Sequence, residues 1–285
     1  MEVFIFSGYT IFNEMTIKQK RQETADEKLF REAIESITPR DIVKEGKAEG
    51  RIHEMGRRMM KEAERQGSTL SEEDVLLLMQ NRESFDSTLK RYGNFEPRKN
   101  GPTVYLVLGV SGSGKSPSIR VARNLLGSRV EEINFGDEMQ RLAFRDKSIR
   151  KHQLHSLPER EQEIFRRETA RKVSHMCSDP DKIYLIETHA TIYGKDGFLV
   201  SLSPEVFNVI RPNGMFMVSQ DPELIIERRE EHSLLDKKVH QRIDEVIIGR
   251  ISKASGVSVY VVERNGLDEG RRSGGQMARI ISSHR

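Results

Sequence analysis

The sequence predicts an α/β protein whose doubly wound parallel sheet follows a mostly α-helical N-terminal region. From residue 103 onward, short apolar runs typical of buried parallel strands alternate with longer amphipathic segments. Residues from about 16 to 92 are instead rich in charge and have helical periodicity. One junction between a strand and a helix is rich in glycine. In sheets of this kind such a junction often binds a ligand. The predicted strands are Val104–Leu108, Ile183–Ile186, Met215–Val218 and Val257–Val262.

The glycine-rich junction, residues 109–116, has the G-x-x-x-x-G-K-[ST] spacing of a phosphate-binding P-loop. Its glycines let backbone N–H groups curl around a polyphosphate, and the helix that follows adds partial positive charge. Lys115 would reach the β- and γ-phosphates, and the Ser116 hydroxyl would ligate Mg²⁺. The sheet is therefore predicted to be that of a P-loop NTPase. The predicted ATP-binding residues are Gly109, Val110, Ser111, Gly112, Ser113, Gly114, Lys115, Ser116 and Pro117.

Pro117 is the unusual residue of this loop. Proline has no backbone N–H, and a donor is expected at this position to face the α-phosphate. Proline is nevertheless tolerated in a first helical turn. Two interpretations stay open: a weakened nucleotide site, or a tolerated variant.

The composition favours neither a membrane nor a nucleic acid as partner. The 285 residues are 32% charged and 36% apolar, and a net charge of +3 is too small to predict nucleic-acid binding. No apolar run approaches the ~20 residues that span a bilayer, and the start lacks the features of a signal peptide. The single cysteine, Cys177, excludes an intrachain disulfide and fits a cytoplasmic protein. Whether the native chain starts at Met1 or Met15 stays open.

The N-terminal region is predicted to contain several helices. One helix covers Ala25–Ile37, and Thr38–Pro39 would cap a second that runs toward Gln66. Glycines inside the second helix argue against its continuity. Ser71–Asp74 resembles a capping box, and Asn94–Pro102 has the composition of a linker.

We therefore divide the chain into a helical extension and linker, 1–100, and a P-loop domain, 101–285. Met55, Met59 and Met60 could form an adaptable face for a protein partner. Packing against the P-loop domain is the favoured alternative, because apolar stripes at helical spacing usually serve packing.

The motifs that follow the P-loop resemble, in type and order, those of the archaeal adenylate kinases. The resemblance runs from about residue 103 to 263, and it is the order of the short motifs that makes it specific. The N-terminal extension has no counterpart in that family. The motifs are Ile133–Met139, Leu157–Pro158, Ala170–Val173, Ile186–Thr191, Gly194–Leu199 and Asp221–Arg229.

The resemblance implies reversible phosphoryl transfer from ATP to AMP, with Mg²⁺, and it also implies a homo-oligomer. Lys115, Arg228 and Arg229 would be the catalytic cations, although a solvated helix face would also explain the two arginines. Glu187 would act on Mg²⁺ through water. The residues implied for the monophosphate site are Asn134, Phe135, Gly136, Asp137, Lys151, Thr188 and His189.

Several expected phosphate-binding cations are absent. Ser233–Asp236 stands where the family has further lid arginines, and the acidic pair Asp244–Glu245 stands where it has an asparagine and an arginine. Two other family arginines are replaced by Lys151 and His155, which lose the bidentate fork of arginine.

Two hypotheses follow. The first is a nucleoside monophosphate kinase that acts on ATP and a monophosphate, with AMP favoured. In this case Arg242 or Arg250 could compensate from a neighbouring turn. The second is a catalytically degenerate kinase fold that binds nucleotide or a protein partner.

Overall fold

The structure is a computed structural model. It describes residues 48–79, 82–96, 98, 101–147, 157, 159–194, 197–227, 234–264 and 270–284. The predicted helix Ala25–Ile37 lies outside the described residues.

A five-stranded parallel sheet with the order β2-β3-β1-β6-β7 forms the centre of the molecule. The strands predicted from apolar runs are confirmed, and a short antiparallel hairpin, β4–β5, lies beside the sheet. The strands are β1 Thr103–Leu108, β2 Val130–Asn134, β3 Ile183–Glu187, β4 Thr191–Gly194, β5 Gly197–Val200, β6 Gly214–Gln220 and β7 Val259–Arg264.

Strand β2 was not predicted, because its sequence contains two glutamates between its apolar residues. It lies at the edge of the sheet, where only Val130 and Ile133 are buried. An edge strand covers less apolar surface than a central one, so its hydrophobic signal is weak.

Helices cover both faces of the sheet, as the prediction requires. They are α1 Ala48–Arg65, α2 Glu72–Leu77, α3 Arg82–Tyr92, α4 Lys115–Leu126, α5 Phe135–Lys147, α6 Glu159–Met176, α7 Pro204–Ile210, α8 Pro222–Ile226, α9 Leu234–Ser255 and α10 Arg271–Ser283. Helices α4 and α10 pack on one face, around Ile119, Phe216 and Met277. Helix α9 and the N-terminal helices contribute to the core on the other face.

The described part of the N-terminal region packs directly on α9. Met60 is buried in the same core as the sheet, and Met55 and Met59 pack against it, as the packing interpretation predicts. Gly56 lies where the two helices approach most closely. A Cβ built there would be 3.2 Å from Val239 Cγ1 and 3.5 Å from Leu78 Cδ1. The glycine that argued against an unbroken α1 therefore makes room for a neighbouring helix.

The capping box at the start of α2 is confirmed, since the Ser71 hydroxyl accepts from Asp74 N–H and the Asp74 carboxylate accepts from Ser71 N–H. The segment predicted as a linker is anchored instead. Phe95 packs on Phe207 with ring centroids 5.0 Å apart. The Arg98 guanidinium donates to Ile210 O, to Cys177 O and to Ser174 Oγ over 3.0–3.3 Å. The boundary between 1–100 and 101–285 stays a prediction.

No helix in the described part of the chain is both long and apolar enough to cross a bilayer.

Candidate functional site

The P-loop connects the C-terminal end of β1, the central strand, to the N-terminus of α4. Gly109, Gly112 and Gly114 all have positive φ, at 142°, 89° and 91°. The first intrahelical bond of α4 runs from Ser118 N–H to Gly114 O, at 3.1 Å. The helix therefore begins at the loop as predicted, and Pro117 does not prevent it. The loop forms a concave turn at a helix N-terminus, which is the geometry of an anion site.

Lys115 is folded back onto this loop. Its side chain is buried, and Nζ donates to Gly109 O at 2.8 Å and to Val110 O at 3.1 Å. These carbonyl contacts hold the ammonium group inside the concave turn. A cation at that point compensates the charge of a bound phosphate.

The Ser116 hydroxyl donates to Glu187 Oε2, at 2.7 Å. Glu187 ends β3, which pairs with β1, so the topology itself brings the two side chains together. A hydroxyl beside a carboxylate is a donor set of hard oxygens, and Mg²⁺ commonly binds to one or two such groups together with substrate phosphates. Among the described residues, no group of three or more His, Cys, Asp or Glu side chains could hold a metal by itself. The pair therefore fits a Mg²⁺ ion that arrives with a nucleotide.

The residues after Glu187 continue along the P-loop. Thr188 N–H donates to Val107 O at 3.1 Å, which extends the β1–β3 ladder by one residue. His189 Nδ1 lies 3.0 Å from Gly109 O, so the ring braces the first carbonyl of the loop. Both residues thus lie at the loop; their predicted contact with a monophosphate stays a prediction.

Asp244 and His240 on α9 form a polar cluster with the buried Thr191 on β4, and no motif of the sequence indicated that these side chains meet. Asp244 Oδ1 accepts from Thr191 N–H at 3.1 Å and from Thr191 Oγ1 at 2.6 Å. His240 Nε2 lies 3.1 Å from Thr191 Oγ1. Burial raises the pKa of Asp244 and lowers the pKa of His240. The positive charge of Lys115 acts to lower both pKa values. The cluster ties β4 to α9 behind the P-loop.

Glu132 on β2 is a second carboxyl group near Glu187 that the sequence did not single out. Burial, followed by repulsion from Glu187, raises the pKa of the Glu132 carboxyl. In the sequence it is one of two adjacent glutamates in a weak strand, so nothing marked it as part of this edge of the sheet.

Four of the residues predicted for the monophosphate site, Asn134 to Asp137, lie at the C-terminal end of β2 and the start of α5. Asn134 Oδ1 accepts from Asp137 N–H at 3.0 Å, which caps α5. Phe135 is buried in the hydrophobic core. Lys151, His155, Arg228, Arg229 and Ser233 lie outside the described residues. The ligand roles of all these residues stay predictions.

The two arginines suggested as substitutes for missing cations are engaged elsewhere. Arg242 donates to Leu70 O at 2.9 Å and pairs with Glu245 at 3.1 Å. Arg250 pairs with Glu72 on α2. Both therefore contact the N-terminal region, and the compensation that we considered for them stays a prediction. Glu245 is neutralised by Arg242, so it does not stand as an uncompensated acid.

Comparisons with known proteins agree with the motif order. A family model described as an AAA domain matches residues 108–248, a span that begins after α3. The adenylate kinase of Pyrococcus horikoshii is 27% identical over 180 residues, which cover 59% of this chain and 91% of that protein. The adenylate kinase of Thermococcus onnurineus is 29% identical over 167 residues, covering 58% and 84%.

Solved structures with a similar fold are more distant. A thymidylate kinase from Candida albicans covers 66% of this chain and 94% of its own, with 14% identity and a TM-score of 0.41. A shikimate kinase from Acinetobacter baumannii covers 69% and 98%, with 15% identity and a TM-score of 0.42. These scores are low, so the fold class rests on the strand order and the family match. Residues 108–248 thus match an AAA-domain family model, and the chain is similar in sequence to archaeal adenylate kinases over somewhat more than half of its length.

Proposed function

We propose that the protein transfers the γ-phosphoryl group of Mg·ATP to a nucleoside monophosphate, with AMP as the favoured acceptor. A phosphate oxygen of the monophosphate forms the new bond to the γ-phosphorus, and the bond to the β–γ bridging oxygen breaks. Two nucleoside diphosphates leave. The chemistry consists mainly of positioning and of charge neutralisation.

The observation that carries this proposal is the contact of Ser116 with Glu187 beside the buried Lys115. Lys115 would compensate charge on the β- and γ-phosphates. Ser116 would hold Mg²⁺ directly and Glu187 through water. Held there, Mg²⁺ would supply positive charge beside the β- and γ-phosphate oxygens. Buried Lys115 and the hydroxyl–carboxylate pair together supply the two kinds of group that an incoming Mg·ATP needs.

The remaining roles follow the family resemblance. Arg228 and Arg229 would close over the transferring phosphoryl group, where an arginine is worth ~10³-fold or more in rate. The acceptor would bind against Asn134, Phe135, Gly136, Asp137, Lys151, Thr188 and His189.

A second candidate is a kinase fold that binds nucleotide or protein and catalyses little. Two observations favour it: Pro117 lacks a donor at the phosphate-binding turn, and Arg242 and Arg250 contact Leu70 and Glu72 of the N-terminal region. Homo-oligomerisation and a protein partner for α1–α3 stay predictions.

A coupled assay with Mg·ATP and, in turn, AMP, CMP, UMP and GMP decides between the candidates. We expect turnover of ~1 s⁻¹ or more with AMP, the low end of kinase rates. Lys115→Ala should abolish it. Lys182→Ala, which removes a partly exposed lysine paired with Glu131, is the matched control and should retain activity. No turnover with any acceptor at high enzyme concentration would reject the kinase.

The metal site has its own test. Glu187→Gln should lower the affinity for Mg²⁺ in the presence of ATP by about 10- to 100-fold. This is the usual cost of losing a residue that supports a bound metal from outside its ligand shell. Glu131→Gln on the neighbouring strand β2 is the control, because Glu131 pairs with the partly exposed Lys182. Equal Mg²⁺ dependence in the Glu187 variant and the parent would remove Glu187 from the metal site.

A further inference from the structure

Arg264, the last residue of β7, lies directly against the P-loop. It is only 7% exposed. A Cβ built on Gly114 would lie 2.1 Å from Arg264 Nη1 and 2.8 Å from Arg264 Cζ. The guanidinium group therefore rests on the glycine that precedes Lys115. No motif of the sequence pointed to this residue.

The first turn of α4, beside this arginine, lacks one donor. A helix N-terminus binds phosphate with the N–H groups that have no partner inside the helix. In α4 those positions are Lys115, Ser116 and Pro117, since the first intrahelical bond starts at Ser118 N–H. Proline has no N–H, so the turn presents one donor fewer to a nucleotide. Pro117 lies three residues after Gly114, the residue that Arg264 contacts.

We propose that Arg264 takes over the role of the missing Pro117 donor and binds the phosphate chain of the nucleotide at the start of α4. The inference rests on the proposed function of this site. A guanidinium group carries five donors in a planar fork that matches two phosphate oxygens, so one arginine can replace one backbone N–H and add charge. It would also restore part of the positive charge that this chain lacks at its lid positions.

The packing around Arg264 fixes the direction of its side chain. Alternate residues of a strand share a face, so Arg264 lies on the face of Tyr260 and Val262, both of which are buried under α4 and α10. Its register partner on β6 is Gln220, which is 2% exposed. A stem enclosed on these sides loses little further freedom when the guanidinium binds a ligand. The arginine is therefore held at the phosphate end of the site before any nucleotide arrives.

A double-mutant cycle tests the replacement directly. The full chain, Arg264→Gln, Pro117→Ala and the double variant are titrated with Mg·ATP by calorimetry. Arg264→Gln should weaken Mg·ATP binding by about 10-fold or more in the parent, as expected for a charged hydrogen bond. The loss should shrink to about threefold or less when Pro117→Ala restores the N–H, because the two donors then serve the same phosphate.

Three further measurements separate this role from a structural one. Arg264→Lys keeps the positive charge and the aliphatic part of the side chain but loses the planar fork of donors. Its Mg·ATP affinity should lie between those of the parent and of Arg264→Gln. AMP affinity should stay within about twofold in Arg264→Gln if the fold is intact. Arg272→Gln, which removes an exposed arginine paired with Glu263, should leave Mg·ATP binding unchanged.

The outcomes are distinguishable. Unchanged Mg·ATP affinity in Arg264→Gln would overturn the inference and leave the proposed function standing. An equal loss with proline and with alanine at position 117 would show that Arg264 does not replace the Pro117 donor, and would overturn it as well. If the parent chain itself does not bind Mg·ATP, the proposed function and this inference fall together.

Discussion

At two glycines, Gly114 and Gly56, an added side chain would contact neighbouring atoms, but glycine is needed there for different reasons. Gly114 has a φ of 91°, a backbone conformation that side chains rarely adopt, and a guanidinium group lies against it. Gly56 is an ordinary residue inside α1, and it is confined by the side chains of Val239 and Leu78. Glycine is required at position 114 because of its backbone conformation, and at position 56 because neighbouring side chains leave no room for a larger residue.

This difference decides what a sequence can reveal. The requirement at Gly114 belongs to a local motif of eight residues, so the spacing alone predicts it. The requirement at Gly56 comes from α9, far away along the chain, so the same residue type only suggests a helix that is broken. Substitutions at the two positions should therefore fail in different ways.

Gly114→Ala should have the largest effect. A left-handed φ costs about 1–3 kcal/mol for a residue with a side chain, and the new Cβ displaces the Arg264 guanidinium. We expect a loss of stability of that size and, in addition, a fall of at least about tenfold in Mg·ATP affinity, because the loop that holds Lys115 is distorted. Urea denaturation and calorimetry measure the two effects. A variant with parental affinity would show that the turn does not bind phosphate.

Gly56→Leu should lower stability by about 2 kcal/mol, within the range of overpacked cores, while Mg·ATP affinity stays within about twofold. The matched control is Gly249→Ala in α9, where a new Cβ meets nothing within 4 Å. The free energy of unfolding of that variant should rise by about 0.5–1 kcal/mol, because alanine has a higher helix propensity than glycine. If Gly56→Leu also weakened Mg·ATP binding, the α1–α9 contact would be coupled to the P-loop, and the comparison would fail.

Arg98→Gln tests the anchor of the segment that the sequence described as a linker. Its hydrogen bonds to Ile210 O and Cys177 O are half-exposed, so we expect a loss of about 1–2 kcal/mol. Burial raises the pKa of the Cys177 thiol to about 11, which makes it slow to alkylate in the folded protein.

Labelling of Cys177 at pH 8 should therefore accelerate in the Arg98 variant, since the anchor opens more often. Arg58→Gln, at an exposed ion pair with Glu54 on the same helical region, is the control and should label at the parental rate. Equal rates in all three proteins would show that the 94–98 segment does not protect the core.

The P-loop, the central strands and the capping box of α2 were predictable because each depends on residues close together in sequence. The contact of Ser116 with Glu187 followed once β1 and β3 were recognised as strands, since parallel neighbours end at one edge of a sheet. Thr191, Asp244 and Arg264 were not predictable, because their partners are set by the register of β4 against α9 and of β7 against β6.

The smallest effect we expect concerns His240, and it depends on pH. Burial lowers the pKa of His240 in the folded protein, although Asp244, at 4.0 Å, opposes this. The unfolded chain keeps the ordinary pKa of about 6.5 and so binds more protons below that pH. Stability should therefore fall as the pH drops from about 7 through 6.5 and toward the folded pKa.

His240→Gln should remove this part of the pH dependence, and urea denaturation at several pH values between 5 and 7.5 measures it. Asp244 acts in the opposite sense, since its raised pKa makes the folded state bind the extra proton above pH ~3.9. Asp244→Asn is for that reason the necessary second variant: it should deepen the acid loss rather than relieve it. If the glutamine variant keeps the parental pH profile, His240 is not the group that titrates, and the cluster behind the P-loop stabilises the fold without responding to pH.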